Sequence, residues 1–151
     1  AFHGAQRRFE VLGEYGGITV ADDYGHHPTE ITATLTAAKK LPFKRVWAVH
    51  QPFTYSRTAM LLDDFVKALS IADRVVLSEI MGSREKNTYH IYAKDLAERI
   101  PGCVWFPEFS QIAAYVVQNA QPGDLIITLG CGDVNKCAHM MANLLREKYG
   151  G

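Results

Sequence analysis

The sequence predicts an α/β fold of three layers, a doubly wound and mostly parallel sheet between helices. Three observations predict it. Short β-rich runs alternate with helical patterns of about 10–15 residues, the rhythm of βαβ units. The later runs, such as Leu125-Ile-Ile-Thr-Leu129, are apolar without a polar–apolar alternation, as strands covered on both faces are. The 151 residues are 48% hydrophobic and 21% charged, which suits one domain with a core of its own.

The elements follow in order. Residues 1–8 read as the end of an interdomain linker and 9–151 as the domain. Phe9–Leu12 and Ile18–Ala21 flank Gly13, Gly16 and Gly17, a pattern that predicts an N-terminal edge hairpin. A helix is expected from Pro28 to Lys40, with proline in its first turn and Ile31, Leu35 and Ala38 on one face. Arg45–Val49 reads as a strand, and Ala59–Leu69 as a helix burying Leu61, Leu62, Phe65 and Leu69. Arg74–Leu77 is the next strand, a polar loop covers Gly82–Thr88, and a short helix covers Ala93–Arg99. Cys103–Phe106, Gln111–Asn119, Leu125–Leu129 and Val134–Tyr149 complete the strand–helix–strand–helix series. Such an arrangement is Rossmann-like, and ligands of such sheets bind beyond the carboxyl ends of the strands.

Composition narrows the function. Lys+Arg and Asp+Glu both number 16, so nothing in the overall charge favours nucleic acid or an anionic membrane. No apolar run approaches the ~20 residues that span a bilayer. The start, Ala1-Phe-His-Gly4, has no signal-peptide pattern, and its lack of Met reads as processing or excision from a longer chain. Cys103, Cys131 and Cys137 form no C-x-x-C pair, which argues against a zinc ribbon or a disulfide framework and for a reducing, cytoplasmic setting.

Four segments gather at the predicted strand ends. Asp22-Asp-Tyr-Gly-His-His-Pro-Thr-Glu30 joins a strand to a helix. Asp22 and Asp23 there are either solvated loop carboxylates or partners of ribose hydroxyls or a metal-bound water. Two adjacent histidines seldom converge on one ion, and His27 with Glu30 falls short of a ligand set, so no metal site is expected. His50-Gln-Pro-Phe-Thr-Tyr-Ser-Arg-Thr58 ends a strand, offers Ser56 or Thr58 as a helix cap, and places Arg57 either for a surface ion pair or for a carboxylate or phosphate. Glu79–Thr88 contains Arg84, Glu85 and Lys86, a charge run expected to be solvated. Gly130-Cys-Gly-Asp-Val-Asn135 is either a tight turn with Asp133 as N-cap or an anion-facing turn at a helix start. It lacks the third glycine of a dinucleotide fingerprint and follows the last strand. No G-x-x-x-x-G-K-[ST] cradle and no G-x-S-x-G elbow occurs, and His90 and His139 read as structural.

Taken together, Arg7-Arg-Phe-Glu10, the D-D-Y-G-H-H-P-T-E string of 22–30, Gln51-Pro-Phe-Thr-Tyr-Ser-Arg-Thr58 and Gly130-Cys-Gly-Asp-Val134 resemble the C-terminal domain of a Mur ligase across essentially the whole chain. The resemblance implies a three-domain ligase of peptidoglycan synthesis. Its first domain holds the UDP-sugar, its second binds ATP and Mg2+, and its third, this one, closes over the active site. The implied partners are ATP, UDP-N-acetylmuramate, L-alanine and the two other domains. The carboxylate is phosphorylated and the amine of the amino acid attacks the acyl phosphate, in a site that closure keeps dry. The resemblance assigns Asp23, Tyr24 and His26 to the nucleotide, and Tyr24, His26, Arg57, Gly130, Gly132 and Asp133 to substrates. It assigns no catalytic residue to this part alone. Relatives usually carry His and Arg where this chain has Phe53 and Thr54, so those contacts do not carry over. The Gln51–Thr58 stretch favours the member that adds L-alanine over the one that re-attaches a recycled murein tripeptide. Two other readings are a stand-alone nucleotide-binding module, which the imperfect glycine motif disfavours, and a scaffold domain, which leaves the polar crowding at the strand ends unexplained.

Overall fold

A computed structural model describes residues 9–150. The expected linker, residues 1–8, lies outside the described residues, as do Arg7 and Arg8 of the first resembling segment. The described chain runs β1 (Glu10–Tyr15), β2 (Ile18–Asp23), α1 (Pro28–Lys39), β3 (Arg45–His50), α2 (Tyr55–Met60), α3 (Leu62–Leu69), β4 (Arg74–Ser78), α4 (Ala93–Ala97), β5 (Val104–Phe106), α5 (Phe109–Asn119), β6 (Asp124–Leu129) and α6 (Asn135–Tyr149).

The six strands form one sheet in the order β1-β2-β6-β3-β4-β5. Only β1 pairs antiparallel, with β2. Tyr15 faces Ile18 across a turn in which Gly16 (φ 58°) and Gly17 (φ 83°) both take positive φ. That is the backbone a two-residue hairpin needs, and glycine adopts it without strain. A register shift between Val11 and Gly13 bends this edge strand.

The sheet is covered on both faces, which accounts for the continuous apolar runs. Ala21, Val46, Ala48, Leu77, Leu125 and Ile127 pack on one side with Ile31 and Leu35 of α1, Phe65 and Leu69 of α3 and Leu96 of α4. Val20, Trp47, Val49, Val76 and Ile126 pack on the other with Ile112 and Val116 of α5 and Cys137, Met141 and Leu145 of α6. Successive strand residues point to opposite faces, so both must be apolar when helices lie on each.

Three expectations are corrected. The helix read as Ala59–Leu69 is two helices: α2 begins at Tyr55, and Leu61 (φ −111°, ψ 25°) interrupts the ladder before α3. Its start lies further back because Thr54, rather than Ser56 or Thr58, is the cap, its hydroxyl accepting the Arg57 N–H at 3.3 Å. Asp133 is not the cap of α6; Val134 holds that position without a side-chain cap bond. The Asp133 side chain is bonded elsewhere, as described below.

Candidate functional site

The parallel strands β2, β6, β3 and β4 end on one edge of the sheet, and the four loops that leave them meet there. The β2 end is built from carboxylates. Asp23 is fully buried, and its oxygens accept the Gly25 N–H at 2.7 Å and the Thr34 hydroxyl at 2.9 Å. Its carbonyl accepts the Gly130 N–H at 3.2 Å. Asp23 thus folds the loop after β2 onto α1 and ties it to the turn after β6. Asp22 accepts from Thr128 at 2.6 Å; burial pushes its carboxyl up and the Thr128 bond opposes this. Both aspartates belong to the strand, so neither is a solvated loop carboxylate.

Beyond them the chain turns outward. Tyr24 is 57% exposed, and its ring meets the His26 ring edge-on at 5.6 Å. His26 Nδ1 lies 3.2 Å from the Tyr24 carbonyl, an arrangement that needs a proton on Nδ1. Glu30 Oε1 accepts the backbone N–H groups of His26 and His27 at 3.0 and 3.2 Å, while His27 Nδ1 accepts the Thr29 N–H at 3.2 Å. The two histidines are therefore spent differently: His27 caps α1 and His26 stands beside Tyr24. Among the described residues no three His, Cys, Asp or Glu side chains converge as a metal site.

The β3 end supplies His50 and Gln51. The His50 ring is fully buried 5.7 Å from the Phe65 ring, with Nδ1 3.0 Å from the Leu129 carbonyl. Gln51 Nε2 donates to Asp133 Oδ1 at 2.9 Å, and Gln51 Oε1 accepts the Asp133 N–H at 3.2 Å. Then Phe53 bridges to Met81, with Thr54 N–H donating to the Met81 carbonyl at 2.8 Å. Thr54 holds a positive φ of 68°, a strained backbone for a β-branched residue. Its carbonyl accepts the Thr58 hydroxyl at 2.8 Å and its hydroxyl starts α2, so the strain is held by bonds on both sides.

The charge run after β4 is not simply solvated. Ser56 donates its N–H to Glu85 Oε1 at 2.9 Å and its hydroxyl to Glu85 Oε2. Those two bonds, the hydroxyl's first, hold the Glu85 carboxyl below its ordinary range, and the Arg57 charge adds to the effect. Arg57 also opposes the rise that burial imposes on the Cys131 thiol. It therefore stands near both the loop after β4 and the turn after β6, and no ion pair engages it among the described residues.

The Arg57 charge acts on both Glu85 and Cys131, and Tyr24 and His26 sit on the loop that Asp23 ties to the Gly130–Asp133 turn. His90 and His139, read as structural, are both exposed. Sequence reasoning missed His50 and Gln51 as individual residues, although both lie in a segment it singled out. It also missed Glu79, whose Oε2 accepts the N–H groups of Ile80 and Ala93 and so fixes the start of α4. Their signal was position alone, the last strand residue or the next one, where a polar side chain has left the ladder but not the core.

An open α/β sheet with an antiparallel edge hairpin and a polar edge at the strand ends defines a Rossmann-like ligand-binding domain. The family described as "Mur ligase, glutamate ligase domain" matches residues 7–132, and the chain belongs to it. It is 46% identical over 144 residues to the UDP-N-acetylmuramate–L-alanine ligase of Caldicellulosiruptor saccharolyticus, covering 93% of this chain and 32% of that enzyme. The chain therefore spans about a third of the length of that curated relative. The UDP-N-acetylmuramate-alanine ligase of Thermotoga maritima has the same fold, with a TM-score of 0.76 at 21% identity over 94% of this chain and 30% of that one. A murein peptide ligase of Psychrobacter arcticus superposes at a TM-score of 0.73 with 27% identity, covering 93% and 30%. No helix among the described residues is long and apolar enough to cross a membrane.

Proposed function

We propose that this chain is the closing domain of a cytoplasmic ligase that uses ATP to join L-alanine to UDP-N-acetylmuramate in peptidoglycan precursor synthesis. The observation that carries the reading is the 46% identity, spread over 93% of the chain, to a ligase of that name. ATP supplies the phosphoryl group that activates the acceptor carboxylate, with Mg2+ as its partner ion. The residues present fit the periphery of such a nucleotide: Tyr24 offers an exposed aromatic face, and His26 stands beside it with Nδ1 already engaged. No triphosphate cradle occurs in these 151 residues, so the nucleotide and its metal are assigned mainly to a central domain outside them. Asp23, with one oxygen committed to its own loop and the other to Thr34 of α1, serves the nucleotide by fixing where Tyr24 and His26 stand.

Arg57 is assigned to a substrate carboxylate or phosphate. Arg57 is partly exposed, its charge acts on Cys131 in the Gly130–Asp133 turn, and no ion pair engages it among the described residues. Gly130, Gly132 and Asp133 line the same edge and complete the substrate side. Residues 1–8 are assigned to a linker from the preceding domains, 9–151 to the closing domain. Docking of this edge on the other domains excludes water from the reacting groups and orients the amine. Neither nucleic acid nor a membrane enters the reading.

Ligation assays test it. The 151-residue chain alone is expected to show no ATP turnover with UDP-N-acetylmuramate and L-alanine; robust ligation by it would contradict the assignment. Fused in place of the matching third of the C. saccharolyticus enzyme, it is expected to restore L-alanine addition. In that chimaera Arg57→Ala is expected to lower kcat/KM for L-alanine by at least about tenfold, the scale of one lost charge-assisted contact. Unchanged kinetics would remove Arg57 from the site. Preference for the tripeptide L-alanyl-γ-D-glutamyl-meso-diaminopimelate over L-alanine would instead favour the recycling ligase, the reading that the P. arcticus likeness supports.

A further inference from the structure

The Gly130-Cys-Gly-Asp133 turn reads in sequence as either a tight turn or an anion-facing turn at a helix start. The structure gives its glycines a close neighbour. A Cβ on Gly132 would stand 2.5 Å from Gln51 Oε1, and one on Gly130 would stand 3.3 Å from the Gln51 carbonyl and 3.0 Å from Val134. The space is filled from within, by Gln51. That residue is 5% exposed, so its amide has left water and needs partners. Both come from Asp133, which gives its N–H to Oε1 at 3.2 Å and accepts from Nε2 at 2.9 Å. The backbone repeats the tie one residue earlier, where the Gln51 N–H and His50 Nδ1 both reach the Leu129 carbonyl at 3.2 and 3.0 Å.

We infer that Gln51 is the positioning residue of the substrate turn, its amide clamping Asp133 and so holding Gly130–Asp133 in one shape; this rests on the reading of that turn as part of the substrate site. The clamp is specific to an amide. One end must accept a backbone N–H while the other donates to a carboxylate, and neither glutamate nor methionine does both. The clamp also orients Asp133: with Oδ1 held by Gln51, Oδ2 is left 3.8 Å from Lys136 Nζ, at the start of α6.

The test uses Gln51→Met, Gln51→Glu and the double variant Gln51→Glu/Asp133→Asn. The double variant moves the donor to the other side and rebuilds both bonds, which a purely space-filling role of Gln51 would not reward. In the 151-residue chain, amide hydrogen exchange is read by NMR. The residue 133 amide, whose N–H Gln51 accepts, is expected to exchange at least about tenfold faster in both single variants, with Ile126 and Ile127 unchanged, and to recover to within about threefold in the double variant. In the chimaera, Gln51→Met is expected to raise KM for L-alanine about tenfold with a smaller change in kcat. Turn exchange unaltered by Gln51→Met, or a double variant no better than Gln51→Glu, overturns the clamp. Altered exchange with unaltered kinetics in an active chimaera overturns its role at the site. A chimaera inactive before any Gln51 change defeats the functional reading, while the exchange data still decide the clamp.

Discussion

Replacement of Asp124 by alanine is expected to destabilise the domain by about 3 kcal/mol, the scale of breaking a buried charge network. Asp124 opens β6 and is 1% exposed. Its two oxygens accept from Arg45 Nε and Nη2 at 3.2 and 2.8 Å, from the Trp47 indole at 2.9 Å and from the Gln121 N–H at 2.9 Å. The Arg45 and Arg74 guanidinium groups lie over the Trp47 ring at 5.5 and 5.3 Å. Removing the carboxylate leaves a buried indole N–H without its acceptor and Arg45 without its bidentate partner, and each loss is larger than that of a solvated bond. Burial pushes the Asp124 carboxyl up, but the bonds from Arg45, Gln121 and Trp47 outweigh it and hold the carboxyl below its ordinary range. That contribution is present above the unfolded carboxylate value and is lost as pH falls through the lower folded one. Urea unfolding at pH 7, followed by tryptophan fluorescence, reads the effect as a midpoint lower by about 1.5 M at a typical slope of about 2 kcal/mol/M. A loss under about 1 kcal/mol would mean that the network contributes no more than a surface ion pair.

The second large effect depends on pH. His50 bonds the Leu129 carbonyl through Nδ1, which must then carry the proton, and its Nε2 is buried without a partner among the described residues. Burial pushes the imidazole down to about 4; the Leu129 bond opposes this, and the nearby His26 charge adds to it. The folded value lies below the unfolded 6.5, so on acidification the unfolded chain takes the proton first. Stability is expected to be flat above pH 6.5 and to fall between 6.5 and about 4, by about 3 kcal/mol at 1.36 kcal/mol per unit. The depressed carboxyls of Asp73, Asp124 and Glu85 act at lower pH, below their ordinary values of 3.8 to 4.5, and the raised Asp22 carboxyl acts in the opposite sense. His50→Phe keeps a flat ring against Phe65 and removes the titrating group. Urea midpoints at pH 7, 6, 5 and 4.5 are expected to fall for the parent chain and stay nearly level for the variant. Parallel slopes in the two proteins would exclude His50 as the acid-sensitive group.

Local pattern carried most of the fold. The hairpin was legible because Gly16-Gly17 between two β-rich runs leaves few other conformations. The central strands were legible because burial on both faces removes the polar–apolar alternation from Leu125–Leu129, where only Thr128 is polar. The broken helix was not legible. Its early start comes from a Thr54 hydroxyl whose cap geometry depends on a strained φ, and that φ is held by Met81, 27 positions away in the chain. Periodicity over 59–69 contains no trace of such a bond.

The alternation of strands and helices, the edge hairpin, the strand-end edge where polar residues gather, and the family to which the D-D-Y-G-H-H-P-T-E string belongs can all be read along the chain. Those properties are encoded in short windows, through hydrophobic period, turn residues and motif spacing. Folding in three dimensions assigned each polar residue its partner. It committed Asp23 to Gly25 and Thr34, gave His27 to a helix cap, pinned Glu85 to Ser56, and closed the glycine turn with Gln51. The reason is physical. A buried donor or acceptor must find a partner wherever the packed chain supplies one, and Gln51 finds its partner 82 residues further along.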